Sequence, residues 1–266
     1  MNFCLQRLTI SRSLLHRRFT ASCVSSEFVK TKIENEIGII TLSDPKRLNA
    51  LTVAMGENFR SAVAELTQAA KEQRIRAVVV TGEGDAFSAG GDLNWLMERH
   101  HTSQFKNSDI MVNFYNRFLC IREVGVPTIA AINGAAIGAG MCMTLACDMR
   151  VAATNAKLGF TFAKLGIHPG MGSSLLLPRI VSQETASYML LSGAIISGED
   201  AKQRGLVLET VPKVAFHRSF TSTANYHTLN FRVFCYIVMF VCTDVDISIT
   251  TVLTHIMCMI VCVLLG

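Results

Sequence analysis

Phe87-Ser-Ala-Gly-Gly-Asp-Leu93 and Ile132-Asn-Gly-Ala-Ala-Ile-Gly-Ala-Gly140 are the stretches whose reading decides the fold. Each follows a short apolar run that reads as a strand, Ala77-Val-Val-Val-Thr81 and Thr128-Ile-Ala-Ala-Ile132. Each precedes a helix-like segment, residues 93–99 and 140–147. Glycines at such junctions let the backbone turn sharply and leave N–H groups uncovered by side chains. The first N–H groups of a helix lack an internal partner and sit at its positive end. Two such ends aimed at one point would hold an oxyanion or a polarised carbonyl without a charged side chain. That pattern points to acyl chemistry.

Outward from these loops, short apolar runs alternate with amphipathic segments, which argues for an α/β arrangement. Residues 38–42 read as a strand that Ser43-Asp-Pro45 breaks. Thr52 is an N-cap for a helix running to about Gln68, with Val53, Phe59, Val63 and Leu66 as its apolar stripe. Residues 77–80 are too continuously apolar for a half-exposed strand and should be buried on both faces. Residues 108–124 form another helix, with Ile110, Phe114, Phe118 and Ile121 on one side.

The paired loops, in this order and setting, resemble the crotonase family, also called the enoyl-CoA hydratase/isomerase family. The resemblance runs from about Val29 to about Pro212. It includes Pro45-Lys-Arg-Leu-Asn-Ala-Leu51, the two loops, Leu165-Gly-Ile-His-Pro-Gly-Met-Gly172 and Gly198-Glu-Asp-Ala-Lys-Gln-Arg-Gly-Leu-Val207. It implies an α/β spiral of repeated strand-strand-helix units with helices outside. It also implies that the oxygen of an acyl-CoA thioester is held by two backbone N–H groups, which fall on Gly91 and Ala139. Coenzyme A is then part of the substrate, and no separate cofactor is expected. By the same resemblance Lys46, Arg47 and Leu48 lie beside the CoA phosphates and pantetheine arm, and Ala89, Asp92 and Leu93 cup the adenine end. A Lys-Arg pair suits polyphosphate, although isolated turn charge reads the same way. Asp92 also charge-matches the helix that follows it.

Hydration moves two protons and needs an acid and a base. In the family's hydratases two glutamates serve, and their matched positions hold Cys142 and Phe162. No Asp or Glu lies between Glu123 and Asp148, or between Asp148 and Glu184. Two residues stand as substitutes. Cys142 is either a thiol activated by a helix N-terminus or a small lining residue. His168, in Gly166-Ile-His-Pro-Gly170, is either an acid/base or a structural residue of the turn. Glu83, Asp85 and Glu123 flank the region as charged loop residues. Phe162 makes for a pocket drier than a hydratase needs, and such a pocket still stabilises a thioester enolate. The function expected is enoyl-CoA hydratase/isomerase-like; the alternatives are a non-catalytic CoA-thioester-binding subunit and an inactive truncated splice product.

The ends differ from the middle. Half of the residues are hydrophobic and 17% are charged, with a mean hydropathy of +0.36, and the ends supply much of that bias. Residues 1–26 carry Arg7, Arg12, Arg17 and Arg18, several serines and no acid, interleaved with Leu5, Leu8, Ile10, Leu14 and Leu15. That is the signature of a mitochondrial transit peptide, which places the mature protein in the matrix. These four arginines account for +4 of the net +5, leaving +1 for the rest, so nucleic acid is not an expected partner. Residues 27–213 form the expected domain. Residues 214–266 hold only Arg218, Arg232, Asp244 and Asp246 as formal charges. Of their two apolar runs, 233–242 is too short to span a bilayer. The run 247–265 has the length but carries Thr250, Thr251, Thr254 and His255. This tail reads as a membrane-associated segment or as one not selected to fold with the domain. The resemblance implies a homotrimer or hexamer, built partly through a helical C-terminal segment that 214–266 replaces. The nine cysteines include no C-x-x-C pair and no zinc spacing, so neither metal nor disulfide is expected.

Overall fold

Val78, Val79 and Val80 present apolar side chains to both faces of a strand, so that strand needs cover above and below. The computed structural model, which describes residues 23–213, supplies it. The strands are β1 (Cys23–Ser25), β2 (Val29–Glu34), β3 (Ile37–Leu42), β4 (Ala77–Gly82), β5 (Ala86–Ser88), β6 (Thr128–Ile132), β7 (Ala135–Ile137), β8 (Met149–Ala153), β9 (Lys157–Gly159), β10 (Ile195–Ser197) and β11 (Glu209–Val211). The helices are α1 (Val53–Lys71), α2 (Leu93–Glu98), α3 (Gln104–Leu119), α4 (Ala139–Leu145), α5 (Ser173–Leu176), α6 (Gln183–Ser192) and α7 (Gly198–Gln203).

Seven strands make one sheet in the order β1-β2-β3-β4-β6-β8-β11, and four make a second, β10-β9-β7-β5. From β3 to β11 the first sheet is parallel; β1, β2 and β3 pair antiparallel. Each turn of the chain puts a long strand in the first sheet, a short one in the second, and then a helix or helical turn. This is the α/β strand-strand-helix spiral the sequence implies. β4 and β6 sit mid-sheet with nearly every residue buried.

Helix α1 starts where Thr52 accepts a hydrogen bond from Met55 N–H. Its buried face is Met55, Phe59, Ala62, Val63, Leu66 and Ala69. Val53, expected in that stripe, stands 38% exposed in the first turn. Phe59 meets Phe118 of α3 with ring centroids 5.9 Å apart. The helix expected over 108–124 begins earlier and ends at Leu119, tightening into a 3-10 turn, Cys120–Glu123, before Pro127. The segment expected to be a leader already joins the sheet at its end, because Cys23–Ser25 pairs with Lys30–Lys32 along the free edge of β2. Residues 1–22 and the tail 214–266, with its expected membrane and assembly roles, lie outside the described residues. Among the described residues no helix is long and apolar enough to cross a membrane.

Two buried asparagines fasten the loops between the sheets. Asn49 is fully buried at a φ of 50–60°, a region its short amide tolerates. Its Nδ2 donates to Glu83 O at 2.9 Å and Ala86 O at 2.8 Å, and its Oδ1 accepts from Asp44 N–H at 2.8 Å. Asn133 repeats the arrangement, donating to Gly84 O at 2.9 Å and accepting from Gly82 N–H. Asn49→Ala leaves the part-buried Asp44 N–H and Glu83 O without their side-chain partner, while Ala86 O keeps a 3.4 Å bond from Asn133; each group left unpaired costs roughly 1–3 kcal/mol before relaxation. The expected loss is about 2–4 kcal/mol in urea unfolding, with Asn49→Asp at least as damaging because it sets a carboxylate against two carbonyls.

Candidate active site

The two glycine loops meet backbone to backbone. Gly90 has φ +97°, and a Cβ built there would lie 2.6 Å from Ile137 O and 3.5 Å from Ala139 N. A Cβ on Gly140 would lie 2.6 Å from Ser88 O. Neither position has room for a side chain, so the loops can touch only because both are glycine.

The amides near this contact are directed by their neighbours. Gly91 forms an isolated parallel bridge with Leu51, in which Leu51 N–H donates to Gly90 O and Asp92 N–H to Leu51 O. In an extended backbone successive N–H groups point to opposite sides, so Gly91 N–H faces away from Leu51. Ala139 opens α4 behind Gly138, where a helix N–H has no internal acceptor. Among the described hydrogen bonds neither the Gly91 nor the Ala139 amide is a donor. Helix α4 is buried along its whole length. Its far end is closed by the buried guanidinium of Arg150, which donates to Thr144 O at 3.2 Å, Cys147 O at 2.9 Å and Leu206 O at 2.9 Å. That fork of donors satisfies terminal carbonyls and places positive charge at the negative end of the helix.

The 45–49 turn lies against the first loop. Pro45–Arg47 is a 3-10 turn with Leu48 in the left-handed region, and Leu48 O accepts from Ala89 N–H at 2.9 Å. Lys46, Leu48, Ala89 and Leu93 are exposed. Arg47 pairs with Asp92, whose other oxygen caps α2 by accepting from Trp95 N–H at 3.0 Å. Asp92 therefore marks the helix start and ties it to the 45–48 turn.

The family model for enoyl-CoA hydratase/isomerase matches residues 32–230, three quarters of the chain. The chain belongs to the enoyl-CoA hydratase/isomerase family. A probable enoyl-CoA hydratase of Mycobacterium tuberculosis is 37% identical over 180 residues, 68% of each protein. A probable mitochondrial enoyl-CoA hydratase of Dictyostelium discoideum is 31% identical over 206 residues, covering 77% of this chain and 70% of that protein. A solved enoyl-CoA hydratase from Polaromonas superposes with a TM-score of 0.64 at 34% identity, over 71% of this chain and 73% of that one.

Within this enoyl-CoA hydratase/isomerase framework, Cys142 lies one helical turn beyond Ala139, fully buried. Its thiol is directed at Gly170 O, 3.7 Å away. Burial pushes the thiol up to about 12, against weaker downward pulls from Ser173 and the backbone, so the helix N-terminus leaves it an ordinary protonated thiol. Phe162 is 8% exposed at the start of the 3-10 turn Ala163–Leu165. His168 is exposed on the 166–170 loop. Glu83 is held by Lys30 at 2.7 Å and by Ser43, which keep its carboxyl below the usual range. Asp85 pairs with Lys213 at 2.8 Å, and Glu123 lines a groove of about 1040 Å³ between α1 and α3 with Arg60, Lys71 and Arg122. That groove contains neither loop amide. Among the described residues no cluster of His, Cys, Asp or Glu could hold a metal.

Sequence reasoning did not reach Tyr115 and Ser173. Ser173 Oγ donates to Gly170 O at 2.8 Å, and Tyr115 lies over Gly170, where an added Cβ would stand 2.2 Å from its hydroxyl. The available signal was an aromatic off the apolar stripe of α3, which is carried by Phe114 and Phe118.

Gly140→Ala forces Ser88 and α4 apart. The expected cost is about 1–3 kcal/mol by urea unfolding, as for overpacking elsewhere. Cys120, Cys142 and Cys147 are free and buried, with thiols raised to about 11, 12 and 12. At pH 8 a three-unit rise lowers the thiolate fraction roughly 10³-fold. Peptide mapping after DTNB treatment should find Cys142 and Cys147 unlabelled in the folded protein and labelled after denaturation.

Proposed function

We propose that this chain binds an acyl-CoA thioester and holds its carbonyl oxygen between the Gly91 and Ala139 amides, stabilising the enolate that develops beside it. The observation that carries this reading is the approach, across the Gly90–Ile137 contact, of two amides that have no acceptor among the described residues. Preorganised donors of this kind are worth roughly 2.7–4 kcal/mol each in the transition state. Lys46 and Arg47 take the CoA phosphates, with Leu48, Ala89, Asp92 and Leu93 around the pantetheine arm and adenine.

The chemistry is enoyl-CoA hydratase/isomerase-like, but hydration by two carboxyl groups does not fit Cys142 and Phe162. Neither residue can activate water, and Phe162 excludes it. A non-catalytic thioester-binding subunit is the second reading, favoured by the absence of any acid from 124–147 and 149–183. The mitochondrial matrix is the proposed compartment, supported by the acid-free, arginine-rich first 26 residues and by the mitochondrial label of the Dictyostelium relative.

Calorimetric titration with butyryl-CoA is expected to show binding to the wild type. Arg47→Ala should weaken it about 5- to 30-fold, the range for losing one charge-assisted contact. Gly140→Ala should abolish it. A wild type that ignores butyryl-CoA would falsify the reading. Crotonyl-CoA turnover, followed as loss of enoyl-thioester absorbance, separates an enzyme from a binder.

A further inference from the structure

Val53 is exposed at the start of α1, and beside it lies an apolar socket. Val53, Trp95, Ile110 and Phe114 line this cavity of about 210 Å³, with the Trp95 and Phe114 rings stacked at 4.6 Å. It has the volume for one large apolar side chain. Asn113 and Arg117 line the socket and also the groove of about 1040 Å³ between α1 and the end of α3, so the two adjoin. Neither contains a glycine-loop amide.

One face of α1 runs past both. Val53, Arg60, Ala64, Thr67 and Lys71 recur at i, i+7, i+11, i+14 and i+18, which places them in a single stripe. At 1.5 Å per residue the stripe is about 27 Å long. Arg60, Lys71 and Arg122 are exposed along the groove and have no salt bridge among the described residues, whereas Arg117 is held by Glu57 at 2.6 Å. Glu123 is the one acid lining it. Val63, Leu119 and Cys120 supply an apolar floor, and Ala64, small and exposed, leaves room above it. Unneutralised cations on both sides of an apolar strip attract an occupant with acidic flanks and an apolar face.

Other occupants fit less well. A small molecule needs most of its surface enclosed, and here the cationic walls stand open to solvent. A nucleic-acid strand needs rings on which bases stack, and the basic stretch has none. The chain's own ends lack the charge: residues 1–22 hold no acid, and 214–266 only Asp244 and Asp246, matched by Arg218 and Arg232.

We propose that this surface docks an acidic amphipathic helix of a partner protein, with one bulky apolar residue in the Trp95 socket and carboxylates along Arg60, Lys71 and Arg122. A helix laid in a groove buries its apolar stripe and gains most from such an anchor. The proposal stands apart from the thioester site.

Trp95 is the chain's single tryptophan, so its emission reports the socket directly. The probe is a designed, tryptophan-free helix of about eighteen residues, with leucines on one face, glutamates flanking them and a phenylalanine near one end. Titrated into the full-length protein, it should shift Trp95 emission saturably. Arg60→Glu with Lys71→Glu should weaken binding about tenfold and should admit the same peptide carrying lysine for glutamate. Ala64→Phe, which fills the groove, should abolish binding. Both variants alter exposed residues, and unchanged circular dichroism and butyryl-CoA titration would show that the fold is kept. Wild type that ignores the acidic helix, or that takes a scrambled peptide of the same composition equally well, overturns the proposal. So does tighter binding of oligouridine at Trp95, or a dimer in sedimentation that Arg60→Glu dissolves, since the occupant would then be nucleic acid or a second copy of this chain.

Discussion

The contact on which the rest depends is the one between the Ser88–Gly90 backbone and the Ile137–Gly140 backbone. It leaves no volume for a β-carbon on either side. It sets the start of α4 beside the end of β5, and so brings two helix-initiating segments from separate turns of the spiral within a few ångströms. Interiors pack densely and deform little. The spacing of the Gly91 and Ala139 amides is therefore a property of the core, not of mobile loops.

That contact is held from behind by polar fasteners with no exposed role. Asn49 binds the 44–49 turn to β5, Ser88 Oγ donates to Asn49 O at 2.8 Å, and Gly90 N–H donates back to Ser88 Oγ. The chain of bonds passes from one asparagine to the glycine that touches the second loop. Arg150 performs a comparable task at the far end of α4. Buried polar networks of this kind are costly when incomplete and rigid when complete, and here every named member is paired.

The two central strands and α1 were legible in the sequence. Continuous apolar runs announce β4 and β6, and Thr52 announces its helix by a local cap. The three-residue strands β5, β7, β9 and β10 were not, because three residues show no alternation and their partners are distant in the chain. The spiral itself came through family likeness, not periodicity. At the site, the glycine loops were legible from local conformation. The Arg47–Asp92 pair and the Tyr115–Gly170 packing were not, since each joins residues some forty to fifty-five positions apart. Cys142 shows the limit of local reasoning. The sequence left an activated thiol open beside a small lining residue, and complete burial favours the lining residue.

The ion pair between Arg47 and Asp92 has a consequence for ligand exchange. Under the proposed function, a CoA phosphate engaging the guanidinium would replace one anion with another, so occupancy would reflect the difference between two contacts rather than the strength of one. The displaced carboxylate does not drift away, because its second oxygen stays tethered to Trp95 N–H. In the proposed thioester site it would stay within reach of the arginine as the phosphate withdraws, an intramolecular rival at the mouth.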